Sequence, residues 1–143
     1  MIFLDSNVIL RYLTKPRDTK MERQQEAAEA LILAAKHGEQ VVTLSEVVLH
    51  ECSFILASKH HYAVPPKQIA DYLSEILNLA GMRLPRGEKS LYLRALGIYR
   101  DNSKLELADS IIAARAERLG VPLATFDKLL SRLPFIEVWD SVE

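Results

Sequence analysis

Ile2-Phe3-Leu4-Asp5-Ser6-Asn7-Val8-Ile9-Leu10 opens the chain and decides its fold class. An apolar run ends on an acid, two good helix-capping residues follow, and an apolar helical stripe begins. A strand over 2–5 should therefore pass into a helix that starts near Ser6 or Asn7, carries Val8, Ile9 and Leu13, and ends before Pro16. The alternation recurs. A helix is expected over 21–37, with Ala27, Ala28, Leu31, Ile32 and Ala35 in register and Gly38 as the stop. Val41-Val42-Thr43 reads as a β-branched strand. A helix over 45–58 follows, then a turn at Val64-Pro65-Pro66 and a helix through Ile69, Tyr72, Leu73, Ile76 and Leu77 to Gly81. Residues 82–85 suit an edge strand, because Pro85 is tolerated there. Helices over 88–99 and 105–119 and strands over 121–125 and 135–139 complete the pattern. Short apolar strands separated by helices predict an α/β/α sandwich around a central, mostly parallel sheet of four or five strands.

The chain has 143 residues, enough for one domain over 1–143 that buries roughly two thirds of its surface. It shows no internal repeat, low-complexity tract or linker. With 49% hydrophobic and 26% charged residues its composition is that of a globular protein. The net charge of −1 argues against a basic coat for nucleic acid, so any contact with RNA must come from a local patch or from metal bridges to phosphate. Cys52 is the one cysteine. It excludes an internal disulfide and a Cys-based zinc site, and is expected to pack as a small hydrophobe. An acid at position 5 comes too early for a signal peptide, and no apolar run is long enough for a membrane span. A cytoplasmic protein with no membrane association is expected.

Four acids stand out: Asp5, Glu51, Asp109 and Asp127. Asp5 and Asp127 follow apolar runs, where strands of an open α/β sheet end and ligands bind. Glu51 shares a helical stripe with Val47, Val48 and Ile55, and Asp109 with Leu105, Ile112, Ala113 and Ala116, so both are expected to face inward. A buried lone carboxylate is costly and normally pairs, neutralises or binds a metal. Four of them without matching cations point to a hard divalent ion, which takes oxygen ligands. Blander roles compete. Asp5 and Asp127 can cap the helices that follow them, and Asp109 can face the positive end of a helix dipole. That last role weakens if the helix begins at Leu105. Glu51, mid-helix, has no comparable structural use. Glu46 reads as a first-turn or capping-box acid. His50-Glu51 lacks the second histidine of a zinc-protease helix, and Arg86–Ser90 lacks the first glycine of a phosphate loop. His60-His61 suits the polar end of a helix better than a metal site. Among the basic residues Arg11, Lys15, Arg17, Lys20 and Arg23, a solvated face is the ordinary role and a phosphate-binding patch the sharper one.

The segment Leu4–Leu10 resembles the opening motif of PIN-domain nucleases. Ser45–Leu56, with its His50-Glu51 pair, is similar to the family's helix bearing an internal acid. Ala108-Asp109-Ser110-Ile111-Ile112-Ala113-Ala114 resembles the third motif and Leu123-Ala124-Thr125-Phe126-Asp127 the fourth. The four occur in order across nearly the whole chain. Its short length looks most like the VapC-type toxins of type II toxin–antitoxin pairs. The resemblance implies an endoribonuclease dependent on Mg²⁺ or Mn²⁺, often a homodimer, held inactive by a small cognate antitoxin. It implies catalytic and metal-binding roles for Asp5, Glu51, Asp109 and Asp127, and polar support from Ser6, Asn7 and Thr125. Arg11 and Lys15 are the candidate RNA contacts. The antitoxin is expected to lay an apolar helix in a groove between helices 21–37 and 45–58. Three alternatives stay open: a free-standing RNA-processing nuclease, a non-catalytic scaffold for RNA or protein, and a phosphatase-like hydrolase, although the last lacks its nucleophilic-aspartate motif and distal lysine.

Overall fold

The structure, a computed structural model, describes residues 1–139. Helices dominate it. β1 (Ile2–Phe3) leads into α1 (Ser6–Leu13) and α2 (Thr19–Lys36). β2 (Val42–Thr43), α3 (Glu46–Ala57), α4 (Pro66–Leu77), α5 (Glu88–Asp101), α6 (Leu107–Leu119) and α7 (Lys128–Ser131) follow.

Local chemistry sets the helix ends. Asp18 accepts a hydrogen bond from the Met21 N–H at 2.7 Å, so α2 begins two residues earlier than the apolar pattern indicates. α4 begins at Pro66, where a missing N–H costs nothing. It stops at Leu77 rather than running on to Gly81. Gly120 closes α6 in the left-handed region at φ 65°. That helix starts at Leu107, not Leu105, which puts Asp109 in its first turn.

The sheet is smaller than the pattern implies. β1 pairs in parallel with β2, Ile2 opposite Val42 and Phe3 opposite Thr43. Met82 makes a parallel bridge with Val42, and a separate parallel bridge joins Leu123 to Val138. All these pairings are parallel, but a sheet of four or five strands is not seen among the described residues. The expected strands over 82–85, 121–125 and 135–139 each contribute one bridge. Pro85, Pro122 and Pro134 lie in or beside them, and each removes a donor from a ladder. β1 also departs from the expected buried strand. Phe3 is 62% exposed whereas Leu4 is fully buried.

α3 is the hub of the packing. It lies against α1, α4 and α6, while α5 packs between α4 and α6, and α2 lies on α1. The core runs through Leu4, Ile9, Leu49, Cys52, Leu56, Leu73, Leu96 and Ala113. One helix face therefore orders most of the molecule. No helix among the described residues is long and apolar enough to cross a membrane.

Gly81 locks β2 to the end of α2. Its N–H donates to the Ala35 carbonyl at 2.8 Å, and its own carbonyl accepts from the Val42 N–H at 2.9 Å. A Cβ at this position would lie 2.0 Å from the Gln40 carbonyl oxygen, so backbone would have to move. Gly97, inside α5, has nothing within 4 Å of its hypothetical Cβ. The two glycines should respond oppositely to the same substitution. Gly81→Ala is expected to cost at least about 2 kcal/mol, a fall of roughly 6 °C in melting temperature for a chain of this size. Gly97→Ala is expected to gain about 0.5–1 kcal/mol. Thermal unfolding of both variants checks the pair, and equal melting temperatures would contradict it.

Candidate functional site

Asp5 ends the β1 segment and caps α1. Its Oδ1 accepts a hydrogen bond from the Ser6 N–H at 2.8 Å. The Ser6 hydroxyl lies 3.4 Å from that same oxygen and 3.4 Å from Glu51 Oε2 on α3. One buried hydroxyl thus stands between two carboxylates that are 46 residues apart in sequence. A hydroxyl has one proton to donate, so it serves one acid at a time. Ser6, one of the three candidate polar helpers in the sequence, is the group that joins the pair.

Neither acid has a cation. The ion pairs among the described residues are Arg94–Glu117, Arg100–Asp71, Arg115–Glu46 and Arg115–Glu88, and none involves Asp5, Glu51, Asp109 or Asp127. The negative field registers on Cys52, next to Glu51. Burial pushes its thiol up to about 12, with Glu51 and then Asp5 adding to the effect. Cys52 is fully buried, as expected of a small hydrophobe.

Two expectations need correction. Glu51 is exposed rather than inward-facing. α3 buries Val48, Leu49, Cys52, Ser53 and Leu56, while Val47, Glu51 and Phe54 form a second stripe that faces outward. Apolar residues occur all round this helix, so spacing alone did not say which stripe is buried. Asp109 is half-buried and in the first turn of α6, where favourable dipole placement is available to it.

Asp127 lies apart from Asp5 and Glu51 in its bonding. It caps α7, with Oδ1 accepting from the N–H groups of Leu129 and Leu130 at 2.7 and 3.4 Å. The Thr125 hydroxyl accepts from the Asp127 N–H at 3.0 Å and so orients this turn. Capping engages a single oxygen in both Asp5 and Asp127; Oδ2 of each makes no hydrogen bond among the described residues.

α3 and α6 run antiparallel. Glu46 at the start of α3 meets Arg115 late in α6. At the other end Phe54, Ala57 and Ser58 share a hollow of about 290 Å³ with Leu105 and Leu107. Glu51 is five residues on from Glu46, and Asp109 six residues back from Arg115. At a rise of about 1.5 Å per residue both acids reach nearly the same level along the pair. Asp109 makes no side-chain hydrogen bond or ion pair among the described residues, and no three His, Cys, Asp or Glu side chains converge there closely enough to hold a metal. The donor set nonetheless fits a hard divalent cation. Two carboxylates without a cation meet at one hydroxyl, and all three groups are oxygen donors.

The candidate RNA contacts are divided. Arg11 lines a groove of about 380 Å³ between α1 and α2 with Asn7, Val8, Gln24, Ala27, Ala28 and Leu31. Its Nε donates to Gln24 Oε1 at 2.8 Å. Lys15 lines a different hollow, with Tyr62 and Tyr72 among its neighbours. The open groove beside the site is formed by α2 with α1, not by α2 with α3. His61 Nδ1 is 3.1 Å from the Ser58 hydroxyl, a local contact at the end of α3. Arg115 does not stand out in the sequence, where Glu46 reads as a first-turn or capping-box acid. The available signal was an arginine within an alanine-rich helical stretch, 113–116, whose flanks pack inward.

A family model for the PIN domain matches residues 2–136, which is most of the chain. No protein of curated function matches it. PIN domains are generally nucleases and typically use divalent metal ions. The ordered motifs, the parallel strand pairing and the match agree: this chain belongs to the PIN-domain family.

Proposed function

We propose that the chain is a metal-dependent endoribonuclease that hydrolyses RNA phosphodiester bonds, and that it is the toxin of a type II toxin–antitoxin pair. The observation that carries the nuclease function is the Asp5–Ser6–Glu51 constellation, two carboxylates sharing one hydroxyl with no cation between them. Asp5 and Glu51 would hold Mg²⁺ or Mn²⁺, with Asp109 and Asp127 as the remaining candidate ligands. When bound, such an ion lowers the pKa of water and neutralises charge on the phosphate under attack.

The chain's own groups do the rest. The α1 cap fixes Asp5 on rigid backbone, and the Ser6 hydroxyl holds Glu51 beside it. Asn7, exposed at the start of α1, lines the groove next to the acids and can donate to a phosphate oxygen. Arg11, one helical turn on, supplies a positive charge in the same groove, and Lys15, which lines a separate hollow, is the second candidate contact. The same groove has an apolar floor of Val8, Ala27, Ala28 and Leu31, which suits the apolar stripe of a helix. A small antitoxin docking there would bring Arg or Lys against Asp5 and Glu51, as guanidinium pairs with carboxylate. A homodimer is part of the same proposal.

One observation favours a second reading, a non-catalytic scaffold for RNA or protein. Only two of the four acids meet, and Asp127 is occupied in capping α7. Incubation of single-stranded RNA with Mn²⁺ separates the two, since a scaffold leaves every RNA intact. Co-expression with the product of the adjacent gene tests the toxin assignment. A partner that neither co-purifies nor relieves toxicity would make this a free-standing RNA-processing nuclease.

Asp5→Asn is expected to reduce cleavage at least about a hundredfold. Asparagine remains a good helix cap, so its melting temperature without metal should match the wild type or exceed it as like-charge repulsion is relieved. A several-degree loss of melting temperature with cleavage retained would show that Asp5 only caps. Mn²⁺ should stabilise the wild type by about 2.7 kcal/mol at a hundredfold excess over its dissociation constant. The same titration should leave the Asp5→Asn, Glu51→Gln double variant unshifted. Cleavage that persists after exhaustive chelation would contradict the mechanism.

A further inference from the structure

Arg115 is the one described side chain whose ion pairs reach two other helices. Its Nη2 lies 2.5 Å from Glu46 Oε1 at the start of α3 and 3.3 Å from Glu88 Oε2 at the start of α5. A second contact, from Nη1 to Glu88 Oε1 at 3.4 Å, makes the Glu88 pairing two-pronged. The Glu88 carboxyl is held below its ordinary range by the Tyr92 hydroxyl and then by Arg115. Arg118, one turn on, donates to the Gly87 carbonyl at 2.6 Å and to the Ser90 hydroxyl at 2.8 Å, anchoring the same end of α6 on α5.

The side chains of Arg115 and Glu46 are each more than 40% exposed. Exposed pairs contribute little to stability, with a median of about 0–1 kcal/mol. Their geometric effect is another matter. α3 carries Glu51 and α6 carries Asp109, and by residue count along the antiparallel pair both acids lie about one and a half turns from the Arg115–Glu46 contact. An ion pair so close along both helices fixes their relative register and separation at the level of these acids.

We propose that Arg115 is a positioning residue that, through Glu46, sets the spacing of α3 and α6 and so presents Glu51 and Asp109 to a divalent cation. This rests on the proposed metal-dependent function of the site. Arg115 acts only through the helices and contacts neither metal nor RNA. A fork of guanidinium N–H groups can satisfy Glu46 and Glu88 together, which a single ammonium does poorly.

The test is the affinity of the full chain for Mn²⁺, measured by calorimetry beside melting temperature without metal. Glu46→Gln and Arg115→Met should weaken Mn²⁺ binding about tenfold, the scale seen when groups that orient metal ligands are lost. Their metal-free melting temperatures should stay within about 3 °C of wild type. Arg115→Lys should be intermediate. Glu88→Gln, which leaves the Arg115–Glu46 contact in place, should keep affinity nearer wild type than Glu46→Gln does. Wild-type affinity in Glu46→Gln and Arg115→Met would overturn the positioning role while leaving the metal site standing. So would losses of affinity and stability in proportion, equal in Glu46→Gln and Glu88→Gln. A wild-type chain that binds no Mn²⁺ would overturn the metal-dependent function itself, and this role with it.

Discussion

Two like charges held against one hydroxyl set the terms for the rest of the molecule. Asp5 is fixed because it ends the β1 segment and caps α1. Glu51 is fixed because α3 is wedged among α1, α4 and α6. The backbone positions of both acids are thus set by a cap and by the central helix. The metal-free fold therefore carries an uncompensated negative pair, and the Ser6 hydroxyl only partly relieves it. A divalent ion is the direct chemical remedy, since hard cations take carboxylate oxygens.

The core-forming and acid-bearing sides of α3 are different. Its inward stripe, Val48, Leu49, Cys52 and Leu56, belongs to the core. Its outward stripe, Val47, Glu51 and Phe54, carries the acid between two exposed apolar side chains. The ion pairs that Arg115 makes with Glu46 and Glu88 link α6 to α3 and α5 without engaging the four acids. Gly81 performs the matching task at the sheet, tying β2 to the end of α2 by backbone hydrogen bonds that leave no room for a Cβ.

Much of this was legible in the residues. Helix identity followed from period and stop signals, and six of the longer helices fall close to where the apolar pattern places them. Strand extent was not legible, because a short apolar run does not reveal how many partners it will find. Thus 82–85 and 121–125 pair through single residues, and Phe3 lies open at an edge. The acids were legible as outliers from an apolar pattern, but not their exposure. α3 is apolar on two stripes, and only the tertiary packing decides that Val48 and Cys52 face in while Glu51 faces out. Ser6 was legible as a polar helper, but its meeting with Glu51 was not, because that depends on how α1 crosses α3. Arg115 and Glu46 were missed for the same reason, since nothing local connects residues 69 apart.

The most direct measurement is anomalous diffraction from crystals of the chain grown with Mn²⁺. The account predicts a manganese peak within bonding distance of carboxylate oxygens from both Asp5 and Glu51, with Asp109 turned toward it. A manganese-saturated crystal with no peak between Asp5 and Glu51, or with the ion held by other residues, would contradict it.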